Sequence, residues 1–216
     1  IGKSTLLKTL HGIIEPLDGE ISYGLKVNPG YFDQTLIVND STNTVLEEFM
    51  TSLPNLLESE ARSALGSFLF KGDDVFKKIN VLSGGEKVRL QLCKILYNKP
   101  NFLILDEPTN HMDIVGKEHL ENILKEYEGT IIFVSHDRYF VEKIANQLLV
   151  FEDDGVEFYP YGYDEYLETI KKKAIEQIEE KPVIKVKEKT MEILKVNTYN
   201  VKKDLNKIEN EIIKLE

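Results

Sequence analysis

The chain has 216 residues, 42% of them hydrophobic and 30% charged, with a formal net charge of −10. That length can bury one full core and leave an appendage. No apolar run is long enough to span a bilayer as a helix, no signal-peptide pattern is read at the start, and the single cysteine, Cys93, excludes an internal disulfide framework and fits a reducing, cytoplasmic setting. From Glu165 onward 12 Lys face 11 acids, whereas the first 164 residues carry 15 basic and 26 acidic side chains. The front part therefore cannot hold nucleic acid by bulk charge.

The sequence opens Ile1-Gly2-Lys3-Ser4-Thr5. Gly2-Lys3-Ser4 is the closing half of G-x-x-x-x-G-K-[ST], whose glycine-rich loop turns backbone N–H groups onto phosphates. In that pattern Lys3 reaches the β- and γ-phosphates and the Ser4 hydroxyl ligates Mg²⁺. Residues 4–10 read as the first turns of a helix, whose N-terminus also favours an anion. The sequence is expected to begin inside this loop, with the loop's first half and the strand before it lying upstream. Asp18-Gly19-Glu20 is a turn signal, and Ile21-Ser22-Tyr23 alternates like an exposed strand. A further strand is expected over residues 27–32, ending at Asp33-Gln34. Gln34 is either an ordinary loop amide or one that touches Mg²⁺ and an attacking water.

Residues 41–69 are helical in character. A helix starts at Thr44-Val45-Leu46-Glu47 and ends by Pro54, and a second runs from Glu58 to Leu69 with Ala61, Leu65, Phe68 and Leu69 on one side. Leu82-Ser83-Gly84-Gly85-Glu86-Lys87 then precedes a helix over 88–97. A hydroxyl and two glycines at a helix start make a second anion site. Two phosphate-seeking loops, residues 2–5 and 83–85, thus stand in one chain, and a monomer with one nucleotide needs only one. Cys93 lies in the apolar pattern of that helix and reads as a small core residue.

Phe102-Leu103-Ile104-Leu105 is an unbroken apolar run, as in strands covered on both faces of a parallel sheet. Asp106 and Glu107 arrive at its C-terminal end, where ligands bind in open α/β sheets, and Pro108 stops the strand. Adjacent strand side chains point opposite ways, so the two acids divide between a hydrated Mg²⁺ and a water molecule. Residues 148–151 and 156–159 make a hairpin about Asp153-Asp154-Gly155. A charged helix is expected over 164–180, interrupted at Lys181-Pro182. Met191, Leu194, Thr198, Val201, Leu205, Ile208, Ile212 and Leu215 then form a heptad seam. The seam is either a single amphipathic helix or the first arm of a coiled-coil hairpin.

Leu82-Ser83-Gly84-Gly85-Glu86 resembles the signature motif of ABC-type ATPases. Ile1-Gly2-Lys3-Ser4-Thr5 resembles the end of their Walker A loop, and Tyr31-Phe32-Asp33-Gln34 their Q-loop. The stretch 102–109 is similar to Walker B, and Phe133-Val134-Ser135-His136-Asp137 to the switch-histidine loop. All five agree in order and spacing, from residue 1 to about Leu167. Glu107-Pro108-Thr109-Asn110-His111-Met112-Asp113 and the run 135–140 resemble the ABC-F branch more narrowly, and details point to the second of its two ATPase domains.

The resemblance implies an α/β P-loop ABC ATPase domain over residues 1–163, mainly a parallel sheet with a helical insertion at about 41–97, and a helical, coiled-coil tail over 164–216. It implies ATP and Mg²⁺ as cofactors. Gly2, Lys3 and Thr5 would hold phosphates, Ser4 and Gln34 would ligate Mg²⁺, and Asp106 would hold it through water. Glu107 would polarise the attacking water and His136 would contact the γ-phosphate. Ser83, Gly84 and Gly85 would complete the site of a second ABC domain, head to tail, with Asp113 and His111 at the interface. His11 and His119 have no motif and are read as surface residues.

The implied function is ATP hydrolysis by a twin-domain ABC-F protein acting on the ribosome in translation or antibiotic resistance, with rRNA contacts mostly through regions outside this chain. The alternatives are the ATP-binding subunit of a membrane transporter, which shares the chemistry, and a DNA-associated ATPase, which the acidic front part disfavours.

Overall fold

A computed structural model of the chain describes residues 2–33, 35, 37, 41–152 and 155–179, with side chains described as far as residue 172. Gln34, the Lys181-Pro182 interruption and the heptad seam fall outside these residues. Residues Ile1–Glu168 form one compact unit, and a second begins at Thr169.

The apolar run 102–105 forms β2 (Phe102–Asp106), flanked in parallel by β1 (Pro29–Phe32) and β3 (Thr130–Val134). Tyr31 pairs with Ile104, and Asp106 with Val134. Alternation along β2 sends its side chains into two clusters. Leu103 and Leu105 join Phe32 with residues of α2 (Val45–Thr51), α3 (Glu58–Ser67), α4 (Gly84–Tyr97), α5 (Ile114–Lys125) and α6 (Arg138–Ile144). Ile104 packs with Tyr31 and with Leu7 of α1 (Lys3–Leu10) on the other face. Helices on both faces of a parallel sheet explain why β2 is apolar throughout rather than alternating.

Local chemistry sets the helix starts. Thr44 and Ser83 each accept from the backbone N–H three residues on, while Glu47 and Glu86 reach back to the cap N–H groups, so α2 and α4 both open with a capping box. Asp113 and Asp137 cap α5 and α6 through Gly116 N and Phe140 N. Inside β1, a Cβ at Gly30 would meet Ile95 Cγ2 at 2.8 Å and Pro100 Cγ at 2.9 Å. Only glycine lets α4 and its exit loop close onto that strand.

β4 (Leu148–Phe151) and β5 (Val156–Tyr159) pair as an antiparallel hairpin, with Phe151 opposite Val156. α7 (Tyr163–Glu179) follows. Two expectations are corrected. Ile21-Ser22-Tyr23 is not a strand: the segment is irregular, with Ile21 39% and Tyr23 42% exposed. No described strand pairs with it, and unpaired alternation cannot satisfy a backbone. His11 is not a free surface residue. It stacks on Tyr31 with ring centroids 4.5 Å apart, and burial lowers its pKa. His119 bonds the Ser67 carbonyl through Nε2.

Candidate functional site

The site lies at the C-terminal end of β2, where the two acids part. Asp106 is buried, and its Oδ1 accepts from Ser4 Oγ at 3.1 Å. Residues more than a hundred positions apart are thereby joined, because α1 packs on the Ile104 face of the sheet with its N-terminus toward the strand ends. Gly2 precedes α1 with φ +93°, a left-handed conformation open to glycine, and its carbonyl accepts from Leu6 N at 2.9 Å. Lys3, Ser4 and Thr5 form the first turn beyond it.

Glu107 turns the other way. Its backbone is left-handed at φ +50°, and its N–H donates to Val134 O at 2.9 Å, tying it to the end of β3. Oε2 accepts from His136 N at 3.2 Å, and Oε1 lies 3.5 Å from His136 Nε2. The carboxylate is largely enclosed, whereas the His136 side chain is 81% exposed. The pairing of Asp106 with Val134 delivers residues 135–137 just past the strand ends. Their hydroxyl and carboxylate anchors are Thr109 Oγ1 to Ser135 Oγ at 3.3 Å, Asp137 N to Ser135 Oγ at 3.1 Å, and Lys117 Nζ to Asp137 Oδ2 at 2.6 Å. The Lys117 contact outweighs burial, which acts the other way, and holds the Asp137 carboxyl below its ordinary pKa.

The second loop is a separate cluster. Ser83 and Gly84 are exposed at the start of α4, while Gly85 is buried against residues 111–112. A Cβ on Gly85 would stand 2.8 Å from His111 O, and one on Gly84 would stand 3.1 Å from His111 Cβ. His111, at φ +62°, and Asp113, the cap of α5, belong to the turn on which this loop rests. Ser4, Asp106, Glu107 and His136 are thus assembled in one place, and Gly84 and Gly85 of the second loop meet His111 instead.

Three features escaped the sequence reading. Asp33 is buried beside position 34 and receives Thr35 N at 2.9 Å, Lys8 Nζ at 3.1 Å and Tyr31 OH at 3.1 Å. Burial alone would raise its pKa, but these donors outweigh it and the carboxyl lies below the usual range. Lys8 could have been found, since it follows Ser4 by one helical turn and shares its face. The Thr109–Ser135 and Lys117–Asp137 contacts have no spacing signal, because each joins elements that only the sheet order brings together.

The sequence model of the family described as ABC transporter matches residues 1–110. The chain belongs to that family. Its relatives place it in the F branch: it is 52% identical over 178 residues to YdiF of Bacillus subtilis, covering 82% of this chain and 27% of that protein. It is 44% identical to ABC transporter F family member 5 of Arabidopsis thaliana, covering 77% and 24%. With the energy-dependent translational throttle protein EttA of Escherichia coli K12 it shares 40% identity, covering 81% and 32%. The chain therefore spans about a quarter to a third of these relatives' length. The fold is shared with an archaeal ribosome recycling factor, aABCE1, solved with the stalk protein aP1 (TM-score 0.62, 24% identity, 80% of this chain and 35% of that one). It is shared also with RNase-L Inhibitor (TM-score 0.61, 24% identity, 80% and 35%). No helix among the described residues is long and apolar enough to cross a membrane.

Proposed function

We propose that this chain is an ATP-hydrolysing domain, residues 1–163 followed by a helical tail, of a longer ABC-F protein that acts in translation on the ribosome in the cytoplasm. The observation that carries the reading is the convergence of Ser4, Asp106, Glu107 and His136 at the end of β2. Lys3, Thr5 and the N–H groups that open α1 hold the nucleotide phosphates. The Ser4 hydroxyl and the Asp106 carboxylate, 3.1 Å apart, are a hard oxygen pair of the kind that Mg²⁺ takes with its waters, with Gln34 as a further ligand. Bound there, Mg²⁺ supplies charge neutralisation at the β- and γ-phosphate oxygens.

Glu107 orients the attacking water and accepts its proton, a task suited to an enclosed carboxylate fixed by its backbone bond to Val134. His136, exposed and beside Glu107, reaches the γ-phosphate. Ser83 and Gly84 lie exposed at the start of α4 and, with Gly85 behind them, complete the site of a second ABC domain bound head to tail, with His111 and Asp113 at that interface. The translation role rests on the kinship with EttA, and residues 1–164 are too acidic to hold rRNA by charge.

Glu107→Gln in the full-length protein tests the reading. ATP affinity should persist while turnover falls by about 10²–10⁴-fold, and the variant should sediment with ribosomes when ATP is present. Unchanged turnover would remove Glu107 from the reaction; ribosome binding indifferent to ATP would remove the translation role.

A further inference from the structure

His136 has little around it to fix its direction. Its side chain is 81% exposed, and its recorded partner is Glu107, met both by its backbone N–H and by its ring. A side chain without walls takes its place from the backbone that carries it, so whatever holds residues 135–137 aims the imidazole. Ser135 is held by a hydroxyl contact to Thr109, and Asp137 by a charged one to Lys117 at 2.6 Å. Charge-assisted hydrogen bonds are about twice as strong as neutral ones, which makes Lys117 the firmer anchor. The Asp137 carboxylate bridges two elements, since Oδ2 takes the ammonium and Oδ1 caps α6 through Phe140 N at 3.3 Å.

Lys117 also has a second connection. It lies in the first turn of α5, where its N–H donates to Asp113 O at 3.0 Å. Met112, beside Asp113, is buried against Gly85. The helix turn that begins under the Ser83 loop therefore ends in the cation that grips the residue after His136. We propose that Lys117 is a positioning residue for His136, holding residues 135–137 so that the imidazole faces Glu107 and tying that placement to the turn at residues 111–113. The inference rests on the hydrolytic reading above.

The test uses the full-length protein with Lys117→Gln and Lys117→Arg, steady-state ATPase kinetics and thermal unfolding. Lys117→Gln should lower kcat about tenfold or more while KM for ATP stays within about threefold, because the phosphate loop is untouched. Lys117→Arg should restore at least half of the rate, since it keeps a cation within reach of the Asp137 carboxylate. A kcat within twofold of wild type in Lys117→Gln overturns the proposal. So does a matching rise in KM, a failure of Arg to restore the rate, or a loss of turnover that tracks a loss of fold. The hydrolytic reading fails separately, if the wild-type protein and Glu107→Gln turn over ATP at the same rate.

Discussion

A glycine chosen for its bare N–H can be required for a second reason. Gly85 was legible as part of an anion-seeking loop, but its closest neighbour is inside the same domain: an added Cβ would stand 2.8 Å from His111 O and 3.2 Å from Met112 Cα. Backbone cannot swing aside as a side-chain tip can, so Gly85→Ala should cost about 1–3 kcal/mol of stability, read as a lower urea midpoint. At Gly84 the nearest atom is His111 Cβ at 3.1 Å, so the neighbouring turn need give by only a few tenths of an ångström. Gly84→Ala should therefore be the milder of the two; equal or reversed costs would show that the packing at residue 111 is not what confines the loop. Glycine in a sequence announces freedom, and only the neighbour shows which freedom is used.

At the level of elements, helices were legible because their signals are local. The Thr44/Glu47 pair marks the start of α2 within a residue of where the sequence put it, whereas the Ser83/Glu86 capping box starts α4 at Gly84, four residues before the expected Val88. Strands are a property of pairs. Residues 102–105 declared themselves through continuous apolarity, whereas Ile21-Ser22-Tyr23 had the alternation without a described partner. Contacts between elements left no trace, and Lys94–Glu48 is the clearest case. This ion pair joins α4 to α2 at 2.9 Å, with only 14% and 13% of the two side chains exposed. Burial by itself would raise the Glu48 pKa, but Lys94, Asn43 and Ser41 bring it below the ordinary value. Lys94→Met strands that carboxylate and should cost on the order of 2 kcal/mol near neutral pH. A depressed carboxylate stabilises above its unfolded pKa and loses that contribution as pH falls through its folded pKa. The penalty of Lys94→Met should accordingly shrink in acid, and a penalty that is constant with pH would mean that lost packing, not lost charge, sets it.

For the whole molecule the same sign applies at three separated places. Asp33, Glu48 and Asp137 all have carboxyls held below their usual pKa, just past β1, between α2 and α4, and behind His136. Their stabilisation is complete above ordinary carboxylate values of about 4 and is lost as pH falls through the lower folded values. Thermal unfolding followed across this range should show the melting temperature falling in acid, and Lys8→Met should flatten the fall by removing one of Asp33's donors. A melting temperature that does not respond to acid would mean these networks hold geometry without adding stability.

Glu107 carries a consequence for heat tolerance. Its φ of +50° puts a long, non-glycine side chain in the left-handed region, where L-residues are disfavoured by roughly 1–2 kcal/mol and asparagine is the polar residue most at ease. Glu107→Asn and Glu107→Gln both exchange the carboxylate for an amide, so comparing them isolates the backbone. The Asn variant should melt higher than the Gln variant by a degree or more, although both should turn over ATP far more slowly than the wild type. Selection for durability alone would thus drift away from glutamate at this position, and under the proposed role of Glu107 a lineage that keeps it would be held there by the reaction.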